Sequence, residues 1–298
     1  MKRIISIILV MSIVEGCEFR DIDYSFYDLS KVSVHVKYDN DDERWPMNYE
    51  VLFFNESENS SYEHNFLGDT AELFLPAGIY DILIHNNLSA NNRFSGSSFE
   101  NYVCFTIPSV YNVYNLTKTS VNPIYTSPDI LFSGSVKDLE IYKPRSGRRN
   151  EVEILIYRNV KQYRMFIPVK GIHYILSISG VITGMASSFS IKDNTAQGPP
   201  CSISLEIEAG ERDGIEGLWC SFSTFGILED CEHILYLFDI KKLDGSVQTF
   251  EYDVSELLYR SEELVPETLI VDYKEGQSGF VDPSIGVWRD TTQWIELN

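Results

Sequence analysis

Hydrophobic and polar residues alternate with a period of two along most of the chain, and the period of 3.6 that marks an amphipathic helix is nearly absent. Two segments show the alternation clearly. Their apolar positions are Val32, Val34, Val36 and Tyr38 in the first and Cys201, Ile203, Leu205 and Ile207 in the second. Strands with one apolar face bury that face between two sheets, so the pattern predicts an all-β fold built from antiparallel β-sandwiches.

Turn-forming residues separate the alternating segments. Pro76 and Gly78 suit positions i+1 and i+3 of a type I turn, and Asp244-Gly245 suits a tight hairpin. The stretch from Thr106 to Pro128 breaks the alternation with prolines among Asn, Ser and Thr. We therefore predict two tandem domains, an N-terminal β-sandwich at residues 26–125 and a C-terminal β-sandwich at residues 126–298.

The N-terminal residues have the pattern of an export signal. Lys2 and Arg3 precede an apolar run from Ile4 to Val14, which is shorter than the roughly 20 residues of a membrane-spanning helix. Cys17 follows at the place of the cleavage site, and its surroundings resemble a bacterial lipoprotein processing box. We predict a signal peptide at residues 1–16, lipidation of Cys17 and an acidic tether at residues 17–25. The alternative is an ordinary signal peptide with an incidental cysteine.

The charge balance is strongly acidic. The 298 residues include 44 Asp and Glu against 24 Lys and Arg, a formal charge of −20, and loss of residues 1–16 with Lys2, Arg3 and Glu15 makes it −21. Such a chain opposes binding to nucleic acid and to anionic lipid surfaces. The basic cluster Lys143–Arg149 is predicted to be a solvated hairpin loop of the second domain.

Four cysteines follow Cys17, and none forms a CxxC pair that would indicate zinc. They are Cys104, Cys201, Cys220 and Cys231. The last three lie in apolar, strand-like segments, where a free thiol behaves as a small hydrophobic group. We favour buried thiols, with one disulfide within residues 201–231 as the alternative.

Motifs for catalysis or metal binding are incomplete. The acidic segment from Asp39 to Glu50 resembles a calcium loop, but its sixth position is Arg44 where the loop needs glycine. Gly276-Gln277-Ser278-Gly279 lacks a spacer of the nucleophile elbow. The histidines occur singly, at His35, His64, His85, His173 and His233. We predict a protein without enzymatic activity, metal or cofactor.

Two longer segments resemble a known family. Leu75–Asn86, with the sequence LPAGIYDILIHN, is similar to a hairpin of fimbrillin-like lipoproteins of the Bacteroidetes lineage. The C-terminal run from Gly245 through Gly286-Val287-Trp288-Arg289-Asp290 is similar to the end of the same proteins. The resemblance implies two transthyretin-like sandwiches, a lipid anchor in the outer membrane, exposure at the cell surface and fimbrial subunits as partners. The implied function is that of an anchor or accessory subunit of type V pili.

Two kinds of site follow from that resemblance. A fibre subunit can join its neighbour by adding an extended segment to an open sheet edge, and the candidate segment is the alternating stretch with Trp294, Ile295 and Leu297. An ordinary closing strand is the alternative for this stretch. Thr70 and Thr291 lie in short patterns similar to the O-glycosylation sites of exported proteins in that lineage.

Aromatic residues near the expected domain boundary suggest a second candidate function. They are Tyr102, Tyr111, Tyr114 and Tyr125. Aromatic rings commonly fill the contact between domains, but they also form flat platforms for sugar rings. The alternative to a fibre anchor is therefore a glycan- or matrix-binding surface lipoprotein on the same fold.

Overall fold

The computed structural model describes residues 29–39, 46–55, 57, 59–109, 123–144, 146–260, 263–264 and 269–270. In chain order the first strands are β1 (Leu29–Tyr38), β2 (Asn48–Asn55), β3 (Ser60–Leu67), β4 (Thr70–Pro76), β5 (Gly78–Asn86), β6 (Asn92–Ser95), β7 (Val103–Thr106), β8 (Ile124–Tyr125) and β9 (Phe132–Ile141). The others are β10 (Asn150–Arg158), β11 (Lys161–Lys170), β12 (Ile175–Ser190), β13 (Thr195–Ser204), β14 (Glu206–Arg212), β15 (Ile215–Thr224), β16 (Ile234–Lys242), β17 (Val247–Asp253), β18 (Glu263–Leu264) and β19 (Leu269–Ile270).

Helix is scarce, and the all-β prediction is confirmed. The helical elements of the described residues are the short helix α1 (Ser255–Arg260) and the 3-10 turns Phe99–Asn101 and Ile172–Tyr174. The strands form three sheets. Most neighbouring strands are antiparallel as expected, but β1 with β10, β13 with β8, and β11 with β18 and β19 pair in parallel.

The first sheet has the strand order β3-β2-β5-β9-β10-β1-β4 and contributes side chains from all seven strands to one core. Val32, Val34 and Val36 of β1 are buried in that core, as the alternation predicts. β9 and β10 pair only at Ser133 with Tyr157 and at Phe132 with Arg158. The sheet therefore folds over at this corner and forms the first sandwich.

The second sandwich lies between two further sheets. The second sheet has the order β14-β15-β11-β18, with β19 also on β11, and the third has the order β17-β16-β12-β13-β8, with β6 and β7 attached to β12. Inward side chains of β11 and β15 pack against those of β12, β13 and β16, and α1 closes one end through Leu258.

A separate apolar cluster joins the two sandwiches. We call it the junction cluster; it contains Leu52, Phe54, Leu83, Phe99, Tyr102, Cys104, Leu131, Val160, Phe189, Ile191 and Phe225. Leu52, Phe54 and Leu83 point outward from β2 and β5, so these two strands are buried on both faces. The consecutive apolar residues of Val51–Phe54 agree with burial on both faces.

The distribution of strands differs from the boundary that we placed between residues 125 and 126. β9 and β10 follow the boundary, yet they pair within the first sheet. β6 and β7 precede it, yet they pair within the third sheet. The basic loop Lys143–Arg149 connects β9 to β10 and so belongs to the first sandwich. Proline-rich composition marked an irregular stretch, but pairing between distant strands decides which sheet a strand joins.

The connection at Pro76-Ala77-Gly78 is not a hairpin between paired strands. β4 pairs with β1 and β5 pairs with β2 and β9, so the chain crosses from one layer of the first sandwich to the other. A similar crossing splits the alternating segment at Leu205, since β13 lies in the third sheet and β14 in the second. The Asp244-Gly245 turn, in contrast, does join the paired strands β16 and β17.

Candidate functional site

The junction cluster encloses a histidine from the segment that resembles fimbrillin-like proteins. His85 is fully buried, and its ring stacks on Phe94 with 3.7 Å between ring centroids. Its Nδ1 lies 3.2 Å from the carbonyl oxygen of Asn86, and its Nε2 lies 3.3 Å from the Tyr102 hydroxyl. Both ring nitrogens therefore have polar partners, which is what a structural histidine requires.

Burial also alters the titration of this group and its neighbours. It lowers the pKa of His85 to about 4, against the effect of the Asn86 carbonyl. The nearest carboxylate is Glu50, with Oε2 3.9 Å from His85 Nε2. Burial and the nearby charge of Glu63 raise the pKa of Glu50. This arrangement stabilises a neutral imidazole in the junction and provides no hydrogen-bonded acid and base pair.

A polar cleft opens on the outer face of the second sheet, and we call it the β11–β15 cleft. Its volume is about 640 Å³, within the range of small-ligand sites. Its floor carries Gln162, Arg164, Glu206, Trp219, Ser221 and Ser223. The loop 127–130 and Asn91 form its wall.

Strand register explains the arrangement of the floor. Ser221 of β15 pairs with Arg164 of β11 on one side and with Glu206 of β14 on the other, so the three residues lie in one row across the sheet. The guanidinium carbon of Arg164 lies 4.0 Å from the centroid of the Trp219 ring. The floor thus presents a cationic donor, an anionic acceptor and a hydroxyl side by side.

The wall of the cleft is held by Asp129. Its Oδ2 accepts hydrogen bonds from the Ser89 hydroxyl at 2.9 Å, the Ala90 N–H at 2.7 Å and the Asn91 N–H at 2.9 Å. The Ser127 hydroxyl accepts a hydrogen bond from the Ser223 N–H at 3.2 Å and so ties the wall to β15. These bonds fix the loop relative to the floor and leave the Asp129 carboxylate with a structural role.

The cysteines that follow Cys17 are free thiols, as we favoured. Cys104, Cys201 and Cys220 are buried, and Cys231 is half-buried. Burial raises the pKa of Cys201 and Cys220 to about 12 and raises that of Cys104 further. These three thiols are therefore protonated at neutral pH and fill space in the cores.

Most of the site residues named from the sequence lie outside the described residues. They are Cys17, Thr291, Trp294, Ile295 and Leu297. Thr70 is described and lies exposed at the start of β4, with its hydroxyl 3.3 Å from Oδ1 of Asp69.

The predicted aromatic platform is not found among its described members. Tyr102 is buried in the junction cluster, and Tyr125 packs in part against the second core. Tyr111 and Tyr114 lie outside the described residues.

The cleft residues were missed, although the sequence contains a signal for them. In β15, Leu218, Cys220 and Phe222 occupy the inward positions, which leaves Trp219 on the outward, polar side of the alternation. A large aromatic residue among the outward, otherwise polar positions of a strand indicates a surface that is either covered by another part of the chain or used for binding. The neighbouring strands could not be known from the sequence, so neither could the row with Arg164 and Glu206.

The described residues contain neither a candidate membrane-spanning helix nor a candidate metal-binding cluster. No helix among them combines the length and the apolar character needed to cross a membrane. Nor do their His, Cys, Asp and Glu side chains form a group of three or more that could hold a metal ion.

The fold and the cleft define a class: a protein of packed β-sandwiches with a polar cleft on an outer sheet face. A family described as a domain of unknown function, DUF5119, matches residues 16–206. Because the match covers more than half of the chain, the protein belongs to this family.

Individual relatives agree with the resemblance to fimbrial proteins. A relative from Bacteroides ovatus, described as "Putative fimbrium anchoring subunit Fim4B", is 23% identical over 198 residues. The match covers 66% of this chain and 57% of the relative, so the chain matches little more than half of that protein's length.

Solved structures share the fold. A "putative adhesin" from Bacteroides ovatus has a TM-score of 0.68 at 20% identity, covering 88% of this chain and 99% of its own. The fimbrial anchor protein Mfa2 from Porphyromonas gingivalis has a TM-score of 0.50 at 13% identity, covering 80% of this chain and 90% of its own.

Proposed function

We propose that this protein is a non-enzymatic accessory or anchoring subunit of a cell-surface fimbria. The observation that carries the proposal is the agreement between the curated relative, which is described as a fimbrium anchoring subunit, and the shared sandwich fold of the fimbrial anchor Mfa2. The partners would be other fimbrial subunits. Attachment to the outer membrane would come from lipid on Cys17.

Joining to a partner by strand addition requires a sheet edge with unpaired backbone groups. β10 offers such an edge. It pairs with β1 along Asn150–Ile156 on one side, while on the other side only Tyr157 and Arg158 pair with β9 among the described residues. The inward side chains Val152 and Ile154 of β10 belong to the core.

The direction of individual backbone groups can be assigned on β10. Tyr157 pairs with Ser133 of β9, and a Cβ atom at Gly134 would lie 2.2 Å from the carbonyl oxygen of Leu155. Tyr157 and Leu155 therefore direct their backbone groups toward β9. Since this direction repeats every second residue, the N–H groups of Glu151 and Glu153 point to the same, open side.

Composition favours β10 over a more charged edge. β14, at the end of the second sheet, carries Glu206, Glu208, Glu211 and Arg212, and charges of this density discourage pairing with another chain. β10 is longer and less densely charged, with Glu151, Glu153 and Arg158 among nine residues, and it contains the apolar run Ile154-Leu155-Ile156, in which Leu155 is 41% exposed. The proposed occupant of this edge is an extended terminal segment of a neighbouring fimbrial subunit. The segment with Trp294, Ile295 and Leu297 remains a candidate for the reverse donation.

The strand-addition step can be tested with one position on β10. Glu153→Pro removes an N–H on the open side and spares the hydrogen bonds to β1, whereas Glu153→Gln keeps the N–H and removes the charge. We expect the proline variant to lose co-purification of fimbrial subunits from the native envelope and the glutamine variant to keep it. Glu151→Pro serves as a second proline variant if Glu153→Pro fails to fold. Full co-purification with a folded proline variant would exclude this edge.

Lipid anchoring has its own test. Cys17→Ala removes the sulfur that would be acylated, so the protein should move from the membrane to the soluble fraction. The readout is detergent partitioning together with the mass of the mature N-terminus. An unmodified Cys17 in mature protein would contradict the anchor.

A further inference from the structure

We propose that the β11–β15 cleft binds a neutral oligosaccharide, a function separate from the proposed attachment to a fimbria. The cleft lies on the outer face of the second sheet, whereas the β10 edge belongs to the first sandwich. The two sites can therefore be tested independently.

The chemistry of the floor matches a ligand rich in hydroxyl groups. Arg164 only donates hydrogen bonds, the carboxylate of Glu206 accepts them, and Ser221 between them does both. A sugar hydroxyl both donates and accepts, so adjacent hydroxyls on one ring can use both kinds of group. Two strand spacings separate Arg164 from Glu206, roughly 10 Å between their backbones, which leaves room for a sugar ring above Ser221.

Arg164 is oriented before any ligand binds. Its guanidinium lies over the Trp219 ring, with the guanidinium carbon 4.0 Å from the ring centroid. Stacking occupies a face of the guanidinium and leaves the N–H groups at its edge directed away from the ring. An arginine held in this way loses little conformational entropy when it donates to a ligand.

The surroundings favour a neutral ligand over an acidic one. Glu206 lies in the same row as Arg164, and the chain as a whole has a formal charge of −20. Both the carboxylate of Glu206 and the net negative charge of the chain would repel a polyanion. The apolar contribution to the cleft comes from Trp219 and Ile130, which can contact the C–H groups of a sugar.

An extended peptide fits the floor less well. Backbone groups of β15 are already paired with β11 and β14 along the rows that form the floor. A peptide lying across this face would find no sheet edge to extend, and its own backbone groups would need side-chain partners. Sugar hydroxyls, in contrast, can form hydrogen bonds directly with the side chains of the floor.

The test uses the full chain with Cys17→Ala and four neutral probes, maltohexaose, cellohexaose, mannohexaose and chitohexaose, with hexagalacturonate as the acidic probe. Binding is measured by calorimetry at probe concentrations up to the millimolar range. We expect at least one neutral probe to bind, and Arg164→Ala and Glu206→Gln each to weaken its binding at least tenfold.

Glu208→Gln is the matched control, because Glu208 is the next outward residue of β14 and does not line the cleft. It should leave the affinity within twofold, and thermal unfolding should confirm that all variants fold. Absence of binding by every neutral probe, tighter binding of hexagalacturonate, or equal losses from Glu206→Gln and Glu208→Gln would overturn the proposal. Arg164→Ala should not change co-purification of fimbrial subunits, so failure here is distinct from failure of the fimbrial proposal.

Discussion

Gly184 shows how closely the long strand β12 approaches the segment before β16. Its φ is +78°, and a Cβ atom there would lie 2.1 Å from His233 Nδ1. His233 cannot easily move, because its ring nitrogens lie 3.3 Å from the Thr183 carbonyl oxygen and 3.3 Å from the Tyr259 hydroxyl. Glycine is needed here for its backbone conformation and for its lack of a side chain.

Gly184→Ala should therefore destabilise the fold for two reasons. The left-handed conformation costs about 1–2 kcal/mol, and the collision with His233 adds about 1–3 kcal/mol. Gly214→Ala is the control, since Gly214 has a φ of +79° and nothing within 4 Å of its Cβ position. Urea unfolding of both variants measures the difference. Equal losses of stability would show that β12 relaxes away from His233.

His85 makes stability depend on pH. Its pKa is lowered to about 4 in the folded state from an ordinary value near 6.5, so between these values the unfolded chain binds more protons. The stabilisation is complete above pH 6.5 and is lost as pH falls toward 4, by up to about 3 kcal/mol. Glu50 acts in the opposite direction, because its raised pKa favours the folded state as it gains a proton.

A comparison of two variants isolates the contribution of His85 to the pH dependence of the unfolding free energy. His85→Gln should flatten the dependence of the unfolding free energy on pH between 4 and 6.5, whatever it costs at neutral pH. His64→Gln, at an exposed position of β3, should keep the dependence of the parent. Urea denaturation at several pH values gives the readout, and an unchanged slope in His85→Gln would assign the pH effect to other groups.

At the scale of the strand, β10 shows how alternation separates buried from accessible positions. Val152, Ile154 and Ile156 are buried in the first sandwich, whereas Glu151 and Glu153 are exposed. Leu155 is apolar but lies in the outward phase of the strand. Its side chain therefore contributes less to the core than those of its neighbours.

Adjacent residues of β10 should respond differently to truncation. Ile156→Ala removes a fully buried side chain and should cost about 2–5 kcal/mol, because the surrounding core cannot fully close the cavity. Leu155→Ala should cost less than about 1 kcal/mol. Chemical denaturation of the two variants under the same conditions measures both values. A cost at Leu155 as large as that at Ile156 would mean that its outer face is covered in solution.

At the scale of the whole molecule, the acidic charge mainly affects the rate at which partners associate and has little effect on the stability of the complex. Exposed charges are screened within about 8 Å at physiological salt, so a charge of −20 mainly changes encounter rates. In the proposed strand addition, salt would not remove backbone pairing along β10 or the burial of alternate apolar side chains.

A complex with a fimbrial subunit should therefore survive about 0.5 M salt. A neutral peptide copying the partner's terminal strand should compete with it, because it offers the same backbone groups. Co-purification across a salt series, with and without the peptide, measures both effects. Dissociation by salt together with resistance to the peptide would point to charge attraction in place of strand addition.

The sequence alone determined the all-β class, the buried faces of strands such as β1 and the turn between β16 and β17. These features depend on residues that are neighbours in the chain, so local periodicity and turn chemistry record them. It also suggested free thiols at Cys201 and Cys220, since both occupy inward positions of alternating strands.

Only the tertiary structure decided which strands share a sheet and where the cleft lies. β9 and β10 join the first sandwich, and β6 and β7 attach to β12, because edges distant in sequence pair with each other. The same kind of pairing aligns Glu206, Ser221 and Arg164, which come from three different strands. Period-two patterns fix the face of a side chain but not its neighbour on the next strand, so the cleft could not be assembled from the sequence.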